Sequence, residues 1–119
     1  MSDQEIPDGG YTVDPRYANL TKAEAVAKMR KEMPVTTGVL DYFPDALLAI
    51  ARVSLAGNNQ HHPGQPLHWD KPKSADHADA LVRHLLERGK PDVDGLSHTA
   101  KAAWRALALL QTEIENARK

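Results

Sequence analysis

From His98 to Asn116 the chain carries no proline and no glycine, and its apolar residues return every three or four positions. That spacing predicts a long amphipathic helix, to which the other segments must fit. Ala100, Ala103, Leu107, Leu110 and Ile114 share one stripe, the expected core face. His98, Lys101 and Arg105 share another. Ahead of the helix stands Asp92-Val93-Asp94-Gly95-Leu96-Ser97, with two carboxylates, a flexible glycine and a capping serine. Cations in the first turns of a helix oppose its dipole by up to about 1 kcal/mol each. Three basic positions there suit a bound anion, a phosphate above all. The competing reading is a solvated edge whose charges are met by carboxylates elsewhere.

Proline and glycine cut the remainder into shorter pieces. Thr21 and Glu24 fit a capping box, and the short helix it opens, Lys22 to Glu32, ends before Pro34. Its face is rich in alanine, which predicts a peripheral position. Pro34 to Leu40 reads as extended or turn. Pro44 suits the first turn of a second helix, where its missing N–H costs nothing. Gly57-Asn58-Asn59 predicts the end of that helix near Ala56. Gln60 to Lys73 is a long irregular loop, and Ser74 is the expected cap of a third helix over Ala75 to Arg88. The expected fold class is all-α: a small helical bundle of three main helices plus a short N-terminal helix. A long irregular loop would join the second and third helices. Residues 1–18 are expected to form a flexible arm, anchored by Tyr11, Val13 and Tyr17, and residues 19–119 a single helical domain.

A net charge of −1 argues against a surface for long nucleic acid. Without cysteine there is no disulfide framework, thiolate nucleophile or cysteine–zinc site. No apolar run approaches the roughly 20 residues that span a bilayer, and no signal-peptide pattern opens the chain. A cytoplasmic protein with no membrane partner is expected. Small sets of helices bury residual apolar surface by self-association, so a homo-oligomer is expected as well.

Three constellations have chemical content. His84, Asp94 and His98 lie at facing ends of consecutive helices and could hold a divalent metal or position a water. Against that, Asp94 or Ser97 caps the helix and His84 is a satisfied, half-buried histidine. In the Lys101 and Arg105 stripe, Arg105 suits bidentate phosphate contact and Lys101 a point charge. In the long loop, Trp69 beside Asn58, Asn59, His61 and His62 could stack on a base and read its edge, or Trp69 could plug one end of the bundle. Oxygen ligands for Mg²⁺ are few, because no helix carries an inward Glu-x-x-Glu or Glu-x-x-Asp pair.

Pro44-Asp45-Ala46-Leu47, Ala51-Arg52-Val53, Gly57, Trp69, Ala80-Leu81-Val82-Arg83-His84-Leu85, Asp94-Gly95-Leu96-Ser97-His98 and Ala102-Ala103-Trp104-Arg105-Ala106-Leu107 occur in that order. In this order they resemble the phage and prophage domain known as the dATP/dGTP diphosphohydrolase N-terminal domain, over about Leu40 to Glu115. The resemblance implies a helical fold, a viral or bacterial source (host cytoplasm, if viral) and purine deoxynucleotide hydrolysis that releases pyrophosphate with Mg²⁺ or Mn²⁺. Carried over by position, it points to Asp45 and Asp94 as metal ligands and to His84 and His98 as catalytic groups. Lys101, Arg105, Trp69 and Asn58 complete the expected nucleotide site. Lys101 stands where the family pattern has a histidine, and Arg105 where it has an asparagine. Fixed cations favour phosphate capture over metal binding. The alternative function is therefore a viral protein that sequesters a host defence nucleotide, such as a cyclic dinucleotide, without cleaving it.

Overall fold

The computed structural model describes residues 15–117, and the structure they form is all-α. Its helices are α1 (Lys22–Glu32), α2 (Pro44–His61), α3 (His77–Leu86) and α4 (His98–Ala117). Among the described residues the β-type pairing is an isolated antiparallel bridge between Pro91 and Ser97. The chain divides into two compact units, Met1–Tyr42 with Leu110–Lys119, and Phe43–Leu109.

In the first unit, α1 begins as its sequence predicts. The Glu24 N–H donates to Thr21 Oγ1 at 3.1 Å and the Thr21 N–H to Glu24 Oε1 at 2.9 Å, which satisfies two donors the helix itself cannot reach. Ala25, Val26 and Met29 on its alanine-rich face are buried. Tyr17 packs with Ala25 and Met29 and donates its hydroxyl to Glu32. Tyr11 and Val13, the other expected anchors of the arm, lie outside the described residues. The segment read as extended or turn closes instead into a π-helical turn, Thr36–Leu40, where the Asp41 N–H reaches back to the Thr36 carbonyl at 2.8 Å.

In the second unit, α2 passes through Gly57, which takes no left-handed φ, and stops at His61. Pro63 decides this end, because a residue before proline is pushed out of helical backbone. The left-handed glycine is Gly64, at φ 77°. At its start α3 is shorter than expected. Ser74 belongs to a preceding 3-10 turn (Lys71–Lys73), and Asp76 is the residue that flanks the helix. Asp76 makes no capping bond, because its carboxylate is taken by Arg105 at 3.1 Å and Arg83 at 3.5 Å.

The α4 core face is the largest departure. Leu107 is half exposed, and the buried positions are Ala102 and Ala108. His98, Lys101, Arg105 and Leu109 are half-buried and share that inward stripe. Ion pairing lets the basic stripe turn inward, and the leucine stripe is left outside.

Candidate functional site

The turn between α3 and α4 is built to hold two carboxylates in place. Gly89 and Gly95 take φ of 82° and 83°, a region costly for any residue with a Cβ. The Asp92 N–H donates to the Leu96 carbonyl at 2.7 Å, and the His98 N–H to the Lys90 carbonyl at 3.1 Å. Inside the turn, Asp92 accepts from the Val93 N–H at 2.7 Å and Asp94 from the Leu96 N–H at 3.0 Å. Ser97 caps α4, its hydroxyl accepting from the Ala100 N–H at 3.1 Å. One helical turn later, Lys101 Nζ meets Asp92 Oδ2 at 2.8 Å and Asp94 Oδ2 at 2.7 Å.

These contacts set the charge states. Hydrogen bonds from Lys101 and the Val93 N–H hold Asp92 at about 2. Those from Lys101 and the Leu96 N–H lower Asp94. Burial pulls Lys101 down, but its bonds to Asp92 and Asp94 outweigh it and the net shift is upward.

His84, in the last turn of α3, faces His98, the first residue of α4. Their Nδ1 atoms are 2.9 Å apart, and His98 Nε2 lies 3.8 Å from Asp92 Oδ1. A nitrogen of each imidazole and an oxygen of Asp92 lie within 4.8 Å of one another. Burial, then the His98 and Lys101 charges, lowers His84 and favours its neutral form.

A second cluster surrounds Arg105. Its Nη1 shares two hydrogens among Asp76 Oδ1 at 3.1 Å, His77 Nδ1 at 3.1 Å and Ser74 Oγ at 3.3 Å. A guanidinium only donates, so His77 Nδ1 accepts and the ring proton sits on Nε2. That Nε2 is buried without a partner among the described residues, as is Trp69 Nε1. Burial and the Arg105 charge lower His77. Trp69 meets Trp104 edge-on at 5.5 Å and His77 at 5.9 Å. Asn58, almost fully buried, ties the long loop to α2: its Nδ2 donates to the Gln65 carbonyl at 3.0 Å, and its Oδ1 accepts from the His68 N–H at 3.3 Å.

The two clusters meet in one cleft of about 580 Å³, a volume in the range of small-molecule sites. Asn58, Trp69, His84, Asp94, Lys101 and Arg105, all predicted from sequence, contribute to its wall. His98 touches His84 but is not part of that wall. Asp45 is elsewhere, on an apolar groove with Leu48, Arg52 and Leu96. Asp94 is bound to Lys101, and the carboxylate that joins the two histidines is Asp92. Sequence reading also missed His77 and Trp104 as site components. Trp104 carried a usable signal, since it precedes Arg105 on the inward side of α4. His77 carried none, because its part depends on where α3 starts.

The profile of the family described as dATP/dGTP diphosphohydrolase, N-terminal matches residues 23–119. The chain belongs to that family. The match to the dATP/dGTP diphosphohydrolase N-terminal family runs from the second residue of α1 through α4 and so includes every residue of the cleft. Comparison with curated proteins and with solved structures found no match. The family suggests metal dependence, and the donors His84, Asp92 and His98 are of the right kind, imidazole and carboxylate.

Proposed function

We propose that this protein binds a purine (deoxy)nucleoside triphosphate in the cleft and, with Mg²⁺ or Mn²⁺, hydrolyses it to the monophosphate and pyrophosphate. One observation carries the reading: Arg105, Lys101, His84 and the Trp69–Trp104 pair converge on a single cleft in a member of a dATP/dGTP diphosphohydrolase family. Among the described residues the hydrogen bonds of Arg105 run through Nη1 while the guanidinium lies over the Trp104 ring, so its Nε and Nη2 can take a phosphate. The indoles offer an apolar wall for a purine. His84 and His98 position the water that attacks the α-phosphorus as the bond to pyrophosphate breaks. Lys101 and Arg105 offset the charge of the leaving pyrophosphate. A bound divalent ion supplies Lewis acidity at the phosphate oxygens.

The test is product analysis with dATP or dGTP and Mn²⁺. Monophosphate and pyrophosphate are expected, and no turnover of any nucleotide would eliminate hydrolysis. Arg105→Ala should weaken nucleotide binding by about ten- to a hundredfold, the worth of charge-assisted bonds of roughly 1.5–3 kcal/mol. Arg105→Lys should recover part of it.

A second reading, sequestration of an intact signalling nucleotide such as a cyclic dinucleotide, is favoured by Lys101, which takes up both turn carboxylates. It predicts binding that survives a chelator, with the ligand recovered uncleaved. Under either reading we propose a homo-oligomer, because Leu48, Leu86 and Leu107 stand half or more exposed.

A further inference from the structure

We infer that His84, His98 and Asp92 bind one transition-metal ion of the imidazole-seeking class (Mn²⁺, Co²⁺ or Zn²⁺) in preference to Mg²⁺, and that the Lys101 ammonium stands in the place of a second cation. This rests on the hydrolytic reading for its purpose, but not for its evidence. Three independent pieces of chain bring the donors together: the last turn of α3, the turn after it and the first residue of α4. All three side chains are half-buried. Two ligands that each lie about 2.0–2.1 Å from one ion can be no more than about 4.2 Å apart. The His84 and His98 Nδ1 atoms are separated by 2.9 Å.

The donor chemistry decides the class of ion. Mg²⁺ demands oxygen ligands and holds its waters. Two imidazoles and one carboxylate suit Mn²⁺, Co²⁺ or Zn²⁺. Asp92 decides the role of Lys101. Its Oδ1 lies 3.8 Å from His98 Nε2, the ring nitrogen other than the one facing His84, and its Oδ2 bonds the ammonium at 2.8 Å. In a two-metal centre the second positive charge lies about 3.5–4 Å from the first, and the ammonium on Asp92 Oδ2 is the fixed positive charge beside this donor set. Here one of the two cations is covalently part of the protein, and Asp94 helps to hold it at 2.7 Å. That gives the family member a fixed charge that no chelator removes, together with a single exchangeable ion.

The experiment is a titration of the full chain with Co²⁺ alone, followed by visible absorption and equilibrium dialysis, without nucleotide. One Co²⁺ per chain is expected, with d–d bands that Zn²⁺ or Mn²⁺ displaces and excess Mg²⁺ does not. His84→Ala, His98→Ala and Asp92→Asn should each weaken binding on the order of tenfold or more, with helical circular dichroism retained. Should an alanine variant lose its helices, His84→Gln and His98→Asn are read in its place. Lys101→Met should gain a second Co²⁺, a result that misfolding cannot produce. Absence of binding at millimolar Co²⁺, binding unmoved by the histidine variants, or equal displacement by Mg²⁺ overturns the site. A stoichiometry that stays at one in Lys101→Met overturns the role of the lysine. A protein that binds Co²⁺ as described but cleaves no nucleotide keeps the site and loses the hydrolytic reading.

Discussion

His77 shows how a single side chain can tie the site to stability. It is buried at the start of α3, accepts from Arg105 and is lowered below 6.5 by burial first and the guanidinium second. Above 6.5 the folded and unfolded chains both hold it neutral, and it contributes no pH dependence. As the pH falls below 6.5 the unfolded chain takes up a proton that the folded one lacks, so stability declines until the folded value is passed. Urea unfolding at about pH 8 and about pH 5 should show this loss, and His77→Gln should reduce it. His84 is lowered in the same direction, so part of the slope will remain. An unchanged slope in His77→Gln would show that the imidazole does not titrate in this way. At more acid pH the turn carboxylates take over, because Asp92 loses its partner Lys101 only as the pH falls through about 2.

At the scale of elements, two glycines in equally open surroundings should respond in opposite ways to the same change. A Cβ at Gly57 or at Gly95 meets nothing within 4 Å. Gly57 sits inside α2 with helical backbone, so Gly57→Ala should stabilise by up to about 1 kcal/mol. Gly95 sits in the turn at φ 83°, and Gly95→Ala should destabilise by about 1–2 kcal/mol through strain alone. Thermal melts of the two variants check the pair, and a shared sign would contradict the backbone assigned to one of them. The Gly95 variant should also disturb the site, since the turn presents Asp92 and Asp94 to Lys101. The long loop is tied down in a different way, by the Asn58 carboxamide, which holds the chain at Gln65 and His68.

For the whole molecule, the imbalance is in where the leucines go. In the Phe43–Leu109 unit the buried apolar side chains are Ala80, Leu96, Ala102 and Ala108, while Leu48, Leu55, Val82, Leu85, Leu86 and Leu107 are about half exposed or more. Exposed leucines in this number support the proposed self-association. Light scattering coupled to gel filtration should therefore report a dimer or larger assembly, and a strict monomer at high concentration would defeat the proposal. Among the described residues no helix is long and apolar enough to cross a membrane.

The local features were legible in the residues themselves. Thr21 with Glu24, Pro44, Ser97 and the Gly95 turn act through neighbours three or four positions away, so the starts of α1, α2 and α4 followed from spacing and capping chemistry. Family kinship was legible too, because it rests on motifs in order along the chain. What spacing could not supply was the choice between faces and between partners. Both stripes of α4 have helical periodicity, and only long-range ion pairs, Lys101 with the turn carboxylates and Arg105 with Asp76, made the basic one turn inward. Asp92 and Asp94 are two residues apart and chemically identical. The direction of one turn set Asp92 against the histidines and left Asp94 to the lysine, and that direction exists only once α3 and α4 are packed.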